Sequence, residues 1–177
     1  AGEMISTIAL INADNGKRTE RNFSNIVLMG SGEPFDNFDN VVKWLHLITD
    51  ESGFNVSERN ISLSTCGLVD KIYEFSKLKF NITLCISLHA TTDEERKKIM
   101  PIANRYSINE IIDAVKAYSD ENKRRVVFEY CLIIGVNVSK QDIDRLASLT
   151  KGLLCHVNVI CLNPNGGPLQ VTTKKFA

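Results

Sequence analysis

The fold is decided by residues 25–34, which read Asn-Ile-Val-Leu-Met-Gly-Ser-Gly-Glu-Pro. The apolar run from Ile26 to Met29 predicts a strand that is buried on both faces. It ends in Gly-Ser-Gly, where backbone amides become reachable. Glu33 follows at the carboxyl end of the strand, where α/β folds place their ligand sites. Pro34 favours an extended Glu33, which aims the carboxylate at a cationic group such as an ammonium; the alternative is an ordinary solvated loop.

The composition is that of an ordinary globular protein. Of 177 residues, 44% are hydrophobic and 24% are charged, which is enough for one domain with its own core. Lys plus Arg and Asp plus Glu both number 21, so the net charge is zero and argues neither for nor against nucleic acid. No apolar run reaches membrane-spanning length, and no signal-peptide pattern is present. We therefore expect a cytoplasmic protein with no membrane partner and a single domain over residues 1–177.

The cysteines are spaced too widely for a local metal motif. No two of the five lie in a C-x2-C or C-x3-C arrangement; they are Cys66, Cys85, Cys131, Cys155 and Cys161. Iron–sulfur motifs depend on such close spacing, and buried cysteines in a reducing compartment behave as small apolar residues. We expect neither a cluster nor a disulfide to be built from these residues.

Strand patterns and helix patterns alternate along the chain. Strands are predicted at 25–30, 60–65, 81–88, 126–133 and 156–162. Helices are predicted at 2–13, 38–50, 68–78, 93–99, 107–121 and 139–151, with a polar loop at 14–22. Predicted helix caps are Asp36 or Asn37, Ser107, and Ser139. This alternation predicts parallel strands that are joined by helical crossovers.

Polar residues stand at the carboxyl ends of most predicted strands. They are Gly32 with Glu33, Ser64 with Thr65, Ser87 with His89, Glu129, and Asn163. In a barrel these ends converge on one mouth, whereas in an open doubly wound sheet they spread along an edge. If the strand ends converge, their polar side chains can all contribute to one site. We therefore predict an α/β fold, a partial TIM-type (β/α) barrel with parallel strands and outer helices.

Each of these strand-end side chains has a ligand-binding and a structural interpretation. The Ser64 hydroxyl suits a ligand carboxylate or ribose, but it also suits the cap of the helix that follows. His89 is structural if it stands alone, and it is a hydrogen-bond donor to a ligand if it lies beside Ser87 at a barrel mouth. Asn163 precedes Pro164 and is therefore held extended, so its amide can read an adenine or ribose edge.

Polar and charged residues at three other places also bear on function. Glu129 lies in an apolar strand, where an ionised carboxylate needs a ligand or a structural ion pair. Asn158, in the next strand, has the alternation of an interior residue. Arg96, Lys97 and Lys98 on a predicted helix form a basic local patch together with Arg105. Charge runs on helices are usually solvated faces and are only a weak indication of nucleic-acid contact.

The order of the motifs resembles one family. Gly-Glu-Pro at 32–34 is followed by Ser-Leu-His-Ala at 87–90, Met-Pro-Ile at 100–102 and Cys-His-Val-Asn at 155–158. This order is similar to that of the radical S-adenosylmethionine methyltransferases that act on adenine in ribosomal RNA, the RlmN/Cfr type. The resemblance runs from about residue 1 to the end of the chain.

The resemblance implies a cofactor, a reaction and a set of binding residues. S-adenosylmethionine would be bound by Gly32, Glu33, Ser64, Ser87, Leu88, His89 and Asn163, with Gly32 and Glu33 at its amino group. The full-length enzyme would use a [4Fe-4S] cluster and a reducing partner such as flavodoxin. It would methylate C2, or alternatively C8, of an adenine in 23S ribosomal RNA, with transfer RNA as a further substrate.

The chain departs from the family in one important respect. The family's C-x3-C-x2-C cluster loop and its two further mechanistic cysteines have no counterpart in residues 1–177. We therefore expect a radical SAM core fragment that is truncated at both ends, inactive by itself, and without catalytic or metal-ligating residues. Two alternatives stay open: another radical SAM enzyme such as a glycyl-radical activase, and a non-catalytic α/β domain that binds a small molecule.

Overall fold

The computed structural model describes residues 1–19, 23–163 and 170–171. These residues form two compact units. The first unit contains Ala1–Ser64 and Asn81–Thr83. The second unit contains Thr65–Phe80 and the described residues from Leu84 onward. The prediction of a single domain over the whole chain stays a prediction.

The helices and strands follow the predicted alternation closely. The described helices are α1 Gly2–Thr19, α2 Phe38–Thr49, α3 Val69–Ser76, α4 Asp93–Ile99, α5 Ile108–Asn122 and α6 Lys140–Thr150. The strands are β1 Ile26–Leu28, β2 Ile61–Thr65, β3 Thr83–Ser87, β4 Val126–Ile134, β5 Cys155–Cys161 and β6 Gln170–Val171. Short 3₁₀ helices occupy Pro34–Asn37, Glu58–Asn60 and Pro101–Asn104. None of the described helices combines the length and hydropathy needed to cross a membrane.

In the first unit, β1 and β2 pair in parallel. Ile26 lies opposite Ile61, and Leu28 lies opposite Leu63. The neighbouring α2 is amphipathic, because its apolar residues recur three and four positions apart. That spacing buries one stripe of the helix, made of Val41, Trp44, Leu45 and Ile48. The predicted parallel pairing is confirmed for these two strands.

In the second unit, β3, β4 and β5 are also parallel. Ser87 at the end of β3 lies opposite Glu129 on β4, which lies opposite Asn158 on β5. The helices of this unit pack through aromatic side chains: Phe75 on α3 stacks on Tyr118 of α5, with ring centroids 6.0 Å apart. The register therefore places polar residues of three adjacent strands in one row.

Two of the three predicted helix caps are confirmed. Ser107 and Ser139 each accept a hydrogen bond from a backbone amide three residues later, in α5 and α6. In both helices the acidic side chain at that position accepts a hydrogen bond from the backbone N–H of the capping serine, which completes a capping box. The cap of α2 is Asn37, but its side chain makes no capping hydrogen bond. The 3₁₀ helix just before α2 is capped by Glu33 instead.

Two backbone features differ from the prediction. Helix α1 continues to Thr19, although residues 14–22 were predicted to form a loop. That segment lacks apolar periodicity, but it contains no proline to end the helix. The two-residue strand β6 was not predicted, and it pairs antiparallel with β4, Val171 opposite Ile133. Two residues are too few to show an alternating pattern.

The prediction that β1 is buried on both faces is wrong. The side chain of Val27 is 62% exposed, and Met29, just beyond the strand, is also exposed. Within the part of the chain that the structure describes, β1 pairs only with β2. The same holds for β5, which pairs only with β4 and leaves Val159 and Ile160 exposed. An apolar run is thus compatible with an edge position as well as with a central one.

The prediction of a solvated basic run is wrong for Arg96. Lys97 and Lys98 are exposed, but Arg96 has 0% of its surface exposed. Its Nε donates to the carbonyl oxygen of Leu88 at 3.1 Å, and its Nη2 donates to that of Ser87 at 3.0 Å. The same Nη2 donates to the carbonyl oxygen of Cys66 at 2.7 Å. Arg96 therefore ties the segments that follow β2 and β3 to helix α4.

Replacing Arg96 by methionine is expected to lower the free energy of unfolding by about 3 kcal/mol, because three backbone carbonyl groups each lose a hydrogen bond from a charged donor. Urea unfolding followed by circular dichroism measures the change. Arg105→Met is the matched control, since the Arg105 ion pair with Asp70 is exposed and should contribute less than about 1 kcal/mol. Equal effects of the two substitutions would contradict the structural role assigned to Arg96.

Candidate functional site

The loop after β1 presents bare backbone and an oriented carboxylate. Gly32 has a φ of +96°, which favours glycine, and no atom lies within 4 Å of the position that a Cβ would take. Glu33 is extended, with φ −109° and ψ 115°, so the conformation predicted from Pro34 is confirmed. The Oε1 atom of Glu33 accepts a hydrogen bond from the backbone N–H of Phe35 at 3.0 Å. This bond fixes the direction of the carboxylate.

The same loop borders a cleft in the first unit. The cleft has a volume of about 410 Å³ and is lined by residues 27–34 together with Met4, Asn37 and Val41. That volume lies within the usual range of small-molecule sites. Since the glycines leave the wall of the cleft without side chains, a ligand can approach the backbone amides and Glu33 directly.

Ser64 lies at the matching end of β2. It follows the residue that pairs with Leu28, so it shares the carboxyl edge of this strand pair with the loop after β1. The helix-cap alternative is not what the structure shows, because α3 is capped at Leu68 without a side-chain hydrogen bond. Thr65 instead accepts from the N–H of Gly67 at 3.1 Å and closes the local turn.

Glu129 is held by a neighbouring strand in the second unit. Its Oε2 accepts a hydrogen bond from Nδ2 of Asn158 at 2.7 Å, so the partner is an amide rather than the ion pair that the sequence left open. Asn158 itself is exposed, not interior. Burial, together with the charge of Glu129, raises the pKa of the Cys85 thiol to about 12. Cys85 is therefore protonated and unreactive at neutral pH.

His89 has a defined ring orientation and protonation state. It is left-handed, with φ +57°, and its Nδ1 accepts a hydrogen bond from the backbone N–H of Cys131 at 3.0 Å. Because a backbone amide can only donate, Nδ1 carries no proton and the neutral ring carries its proton on Nε2. Burial and the nearby charge of Arg96 lower the pKa of His89 to about 4. At neutral pH His89 is thus a donor through Nε2.

Leu88 and Asn163 complete the predicted set. Leu88 is buried, and its N–H donates to the carbonyl oxygen of Glu129 at 3.1 Å. Together with the bonds from Arg96, this holds residues 87–89 as one segment at the end of β3. Asn163 is exposed and lies two residues beyond β5. Pro164, which was predicted to keep Asn163 extended, lies outside the described residues.

Sequence reasoning missed Asn137, which supports His89. Its side chain is buried, and its Nδ2 donates to the carbonyl oxygens of His89 and Cys131 at 2.6 and 2.7 Å. An asparagine that follows Gly135-Val136 at the end of a strand reads as an ordinary turn residue. The sequence carried no other signal for its partners. Arg96 was missed as well; its place three residues before Ile99 on one helix face was the available indication.

The described residues suit S-adenosylmethionine better than an iron–sulfur cluster. Gly32 and Glu33 offer open backbone and a fixed carboxylate, which match an amino-acid ammonium group. By contrast, no group of three or more Cys, His, Asp or Glu side chains among the described residues is arranged to hold a metal ion. A cluster therefore does not fit the side chains that this part of the chain provides.

Two relatives are similar to almost all of the chain. A probable dual-specificity RNA methyltransferase RlmN of Clostridium acetobutylicum is 53% identical over 163 residues, which are 92% of this chain and 46% of that protein. A protein of the same description from Clostridium perfringens strain 13 is also 53% identical over 163 residues, with the same coverage. The chain spans about half the length of the curated relatives it matches. The predicted resemblance to the RlmN type is confirmed.

Solved structures show the same fold. The crystal structure of a radical SAM methyltransferase from Sphaerobacter thermophilus superposes with a TM-score of 0.93 at 39% identity, over 99% of this chain and 51% of that one. A domain of pyruvate-formate lyase-activating enzyme from Bacteroides vulgatus has a TM-score of 0.62 at 16% identity, over 87% of this chain and 88% of that one. The second likeness concerns the fold alone. The predicted α/β fold of a partial barrel is confirmed.

A family model gives the same result at the level of sequence. The model described as the radical SAM superfamily matches residues 12–147, which is most of the chain. The matched range contains the loop after β1, the end of β2 and the segment around His89. The chain belongs to the radical SAM superfamily.

Proposed function

We propose that the chain is the S-adenosylmethionine-binding part of a radical enzyme that methylates adenine in RNA. The relatives that are 53% identical over 92% of the chain carry the name RNA methyltransferase, which supports RNA as the substrate. The strand-end motifs of the RlmN/Cfr type support adenine as the base. In this proposal the target is C2 or C8 of an adenine in 23S ribosomal RNA, with transfer RNA as a second substrate and the cytoplasm as the location.

The single observation that carries the proposal is the Glu33 carboxylate at the cleft after β1. The hydrogen bond from Phe35 fixes that carboxylate, and the bare Gly32 leaves space beside it. A positively charged ammonium is the group that such a carboxylate attracts most strongly. We assign the S-adenosylmethionine contacts to Gly32, Glu33, Ser64, Ser87, Leu88, His89 and Asn163.

The remaining contacts follow from the hydrogen-bonding groups of these residues. The Nε2–H of His89 donates to a ligand oxygen or nitrogen, because Nδ1 is already engaged by Cys131. The Ser87 hydroxyl and the Asn163 amide both donate and accept, so they suit the ribose and the adenine edge. Leu88 is fully buried, so its part is to hold Ser87 and His89 beside the ligand. None of these roles requires an ionised histidine.

S-adenosylmethionine supplies the methyl group and the adenosyl group of the radical chemistry. The protein's share is to bind this molecule, orient it and exclude water. Because the described side chains include no metal-binding group, we assign the [4Fe-4S] cluster and the contact with a reducing partner such as flavodoxin to a longer protein that carries this chain.

Replacing Glu33 by glutamine separates the role of Glu33 in ligand binding from its role as the cap of the 3₁₀ helix that follows. The amide oxygen of glutamine still accepts from Phe35, but the negative charge is lost, so the affinity for S-adenosylmethionine should fall by about tenfold or more. Isothermal titration calorimetry on the chain measures the affinity. Asn163→Ala should weaken binding as well, through loss of the amide contact.

Glu58→Gln is the matched control for Glu33→Gln. The Glu58 carboxylate also accepts a backbone N–H, that of Asn81 at 2.6 Å, but it does not line the cleft after β1. Its substitution should leave the affinity unchanged. Binding by the wild-type chain that neither Glu33→Gln nor Asn163→Ala weakens would show that the site is misplaced. If the isolated chain does not bind, the same variants are compared for turnover in a longer protein that carries the cluster.

His89 makes the stability of the chain depend on pH. Its pKa is about 4 in the fold and near 6.5 when unperturbed, so protons bind preferentially to the unfolded state between these values. The stabilisation is complete above pH 6.5 and is lost as the pH falls towards 4, by up to about 3 kcal/mol. Urea unfolding at a series of pH values measures this slope.

The variant His89→Gln should flatten the pH dependence of stability over the same interval. His46, which is exposed on α2, provides the control substitution. A wild-type slope that survives in His89→Gln would mean that other groups produce it, and it would contradict the lowered pKa assigned to His89.

A further inference from the structure

Asn137 lies outside the proposed ligand contacts, but it joins two segments on which they depend. The residue is 1% exposed. Its Nδ2 donates to the carbonyl oxygens of His89 and Cys131, and its Oδ1 accepts from the N–H of Ile133 at 2.7 Å. One buried amide thus connects the turn after β3 to the carboxyl end of β4.

The side chain of Asn137 uses its full set of strong donors. Both Nδ2 hydrogens go to backbone carbonyls, and the amide oxygen receives a backbone N–H. Aspartate has no hydrogens to donate at this position, and alanine has no polar atom. The backbone of Asn137 is fixed as well, since its carbonyl oxygen accepts from the Tyr130 hydroxyl at 3.0 Å. The amide therefore has little freedom to turn away.

The conformation of His89 needs such support. A non-glycine residue with φ +57° is disfavoured by contact between its Cβ and the backbone. The His89 N–H donates to the Glu129 carbonyl at 3.3 Å, and two further hydrogen bonds oppose relaxation: the one from Asn137 to the His89 carbonyl, and the one from the Cys131 N–H to Nδ1 of the ring. The first restrains the backbone of His89, and the second restrains its imidazole.

We propose that Asn137 is a positioning residue for cofactor binding. By joining the carbonyl oxygens of His89 and Cys131, it keeps the Cys131 N–H against Nδ1 of His89, so that the opposite Nε2–H is directed at the ligand. The inference rests on the proposed function for the identity of that ligand, S-adenosylmethionine. The ring state of His89 can nevertheless be measured without any ligand.

The effect of Asn137 on His89 can be separated from the effect of nearby charges. The charged group that acts on His89 is Arg96, which together with burial lowers the pKa of the histidine. Asn137 is neutral, so replacing it by alanine or serine changes no charge. A change in the titration of His89 in such a variant therefore reports a change in geometry and solvent access.

Nitrogen-15 NMR of the histidine rings tests the proposal in Asn137→Ala, with His89→Gln used to assign the signal. In the wild-type chain we expect a single neutral tautomer with the proton on Nε2. In Asn137→Ala we expect both tautomers, a pKa that moves from about 4 towards 6.5, and S-adenosylmethionine affinity about tenfold lower by calorimetry. Asn137→Ser keeps one hydroxyl donor and should give intermediate values.

Asn122→Ala is the matched control. Asn122 also donates from Nδ2 to two backbone carbonyls, those of Ser76 and Tyr118 at 3.3 and 3.0 Å, and neither partner belongs to the segments around His89 and Cys131. It should leave the His89 spectrum and the ligand affinity unchanged. This control separates the positioning effect of Asn137 from the general loss of an amide that bonds two backbone carbonyls.

The outcomes separate the two proposals. A folded Asn137→Ala chain with the wild-type tautomer and pKa of His89 overturns the positioning role. A changed ring with unchanged ligand affinity overturns it too, since the ring must act on binding. If Glu33→Gln does not weaken binding while Asn137→Ala alters the ring and weakens it, the assignment of Glu33 fails and the positioning role stands. If circular dichroism shows that neither Asn137 variant folds, the residue is structural and the proposal is wrong.

Discussion

The buried guanidinium of Arg96 is the interaction on which the strand ends depend. Where β2 and β3 end, the regular ladder of backbone bonds ends too, and buried carbonyl groups need donors from elsewhere. Arg96 supplies donors to three of them, those of Cys66, Ser87 and Leu88. The cost is a buried charge, and burial accordingly lowers the pKa of Arg96. A lysine has no planar fork with which to reach all three carbonyls.

This arrangement constrains the chain around it. A Cβ at Gly67 would lie 2.9 Å from Cδ1 of Ile111 and 3.4 Å from Nη2 of Arg96, and the φ of +100° there disfavours any other residue. The approach of Ile111 on helix α5 therefore requires a bare backbone at this turn, beside the guanidinium. Because these hydrogen bonds hold residues 87 and 88, the backbone that leads into His89 is fixed in position. Asn137 and Cys131 then fix the orientation of its ring.

The sequence predicted those features that depend on local physics. Alternating apolar runs located the strands and helices, the serines before α5 and α6 capped them, and Pro34 kept Glu33 extended. The features that were missed depend on partners far along the chain: Asn137 contacts His89 across 48 positions, and Arg96 contacts Cys66 across 30. A polar residue shows no periodicity that reveals whether it is buried. The exposure of β1 was missed for a related reason, since an apolar strand looks the same whether or not it has neighbours on both sides.

The exposed apolar edges have a consequence for colloidal behaviour. Val27 on β1 and Val159 on β5 face solvent on strands that each pair with one neighbour among the described residues. Unpaired edges of this kind are templates for association with further strands. Electrostatic repulsion between molecules does not oppose that association, because the chain carries equal numbers of positive and negative charges at pH 7. The isolated chain should therefore be least soluble near neutral pH, and a lysine at Val159, which does not line the cleft after β1, would raise its solubility.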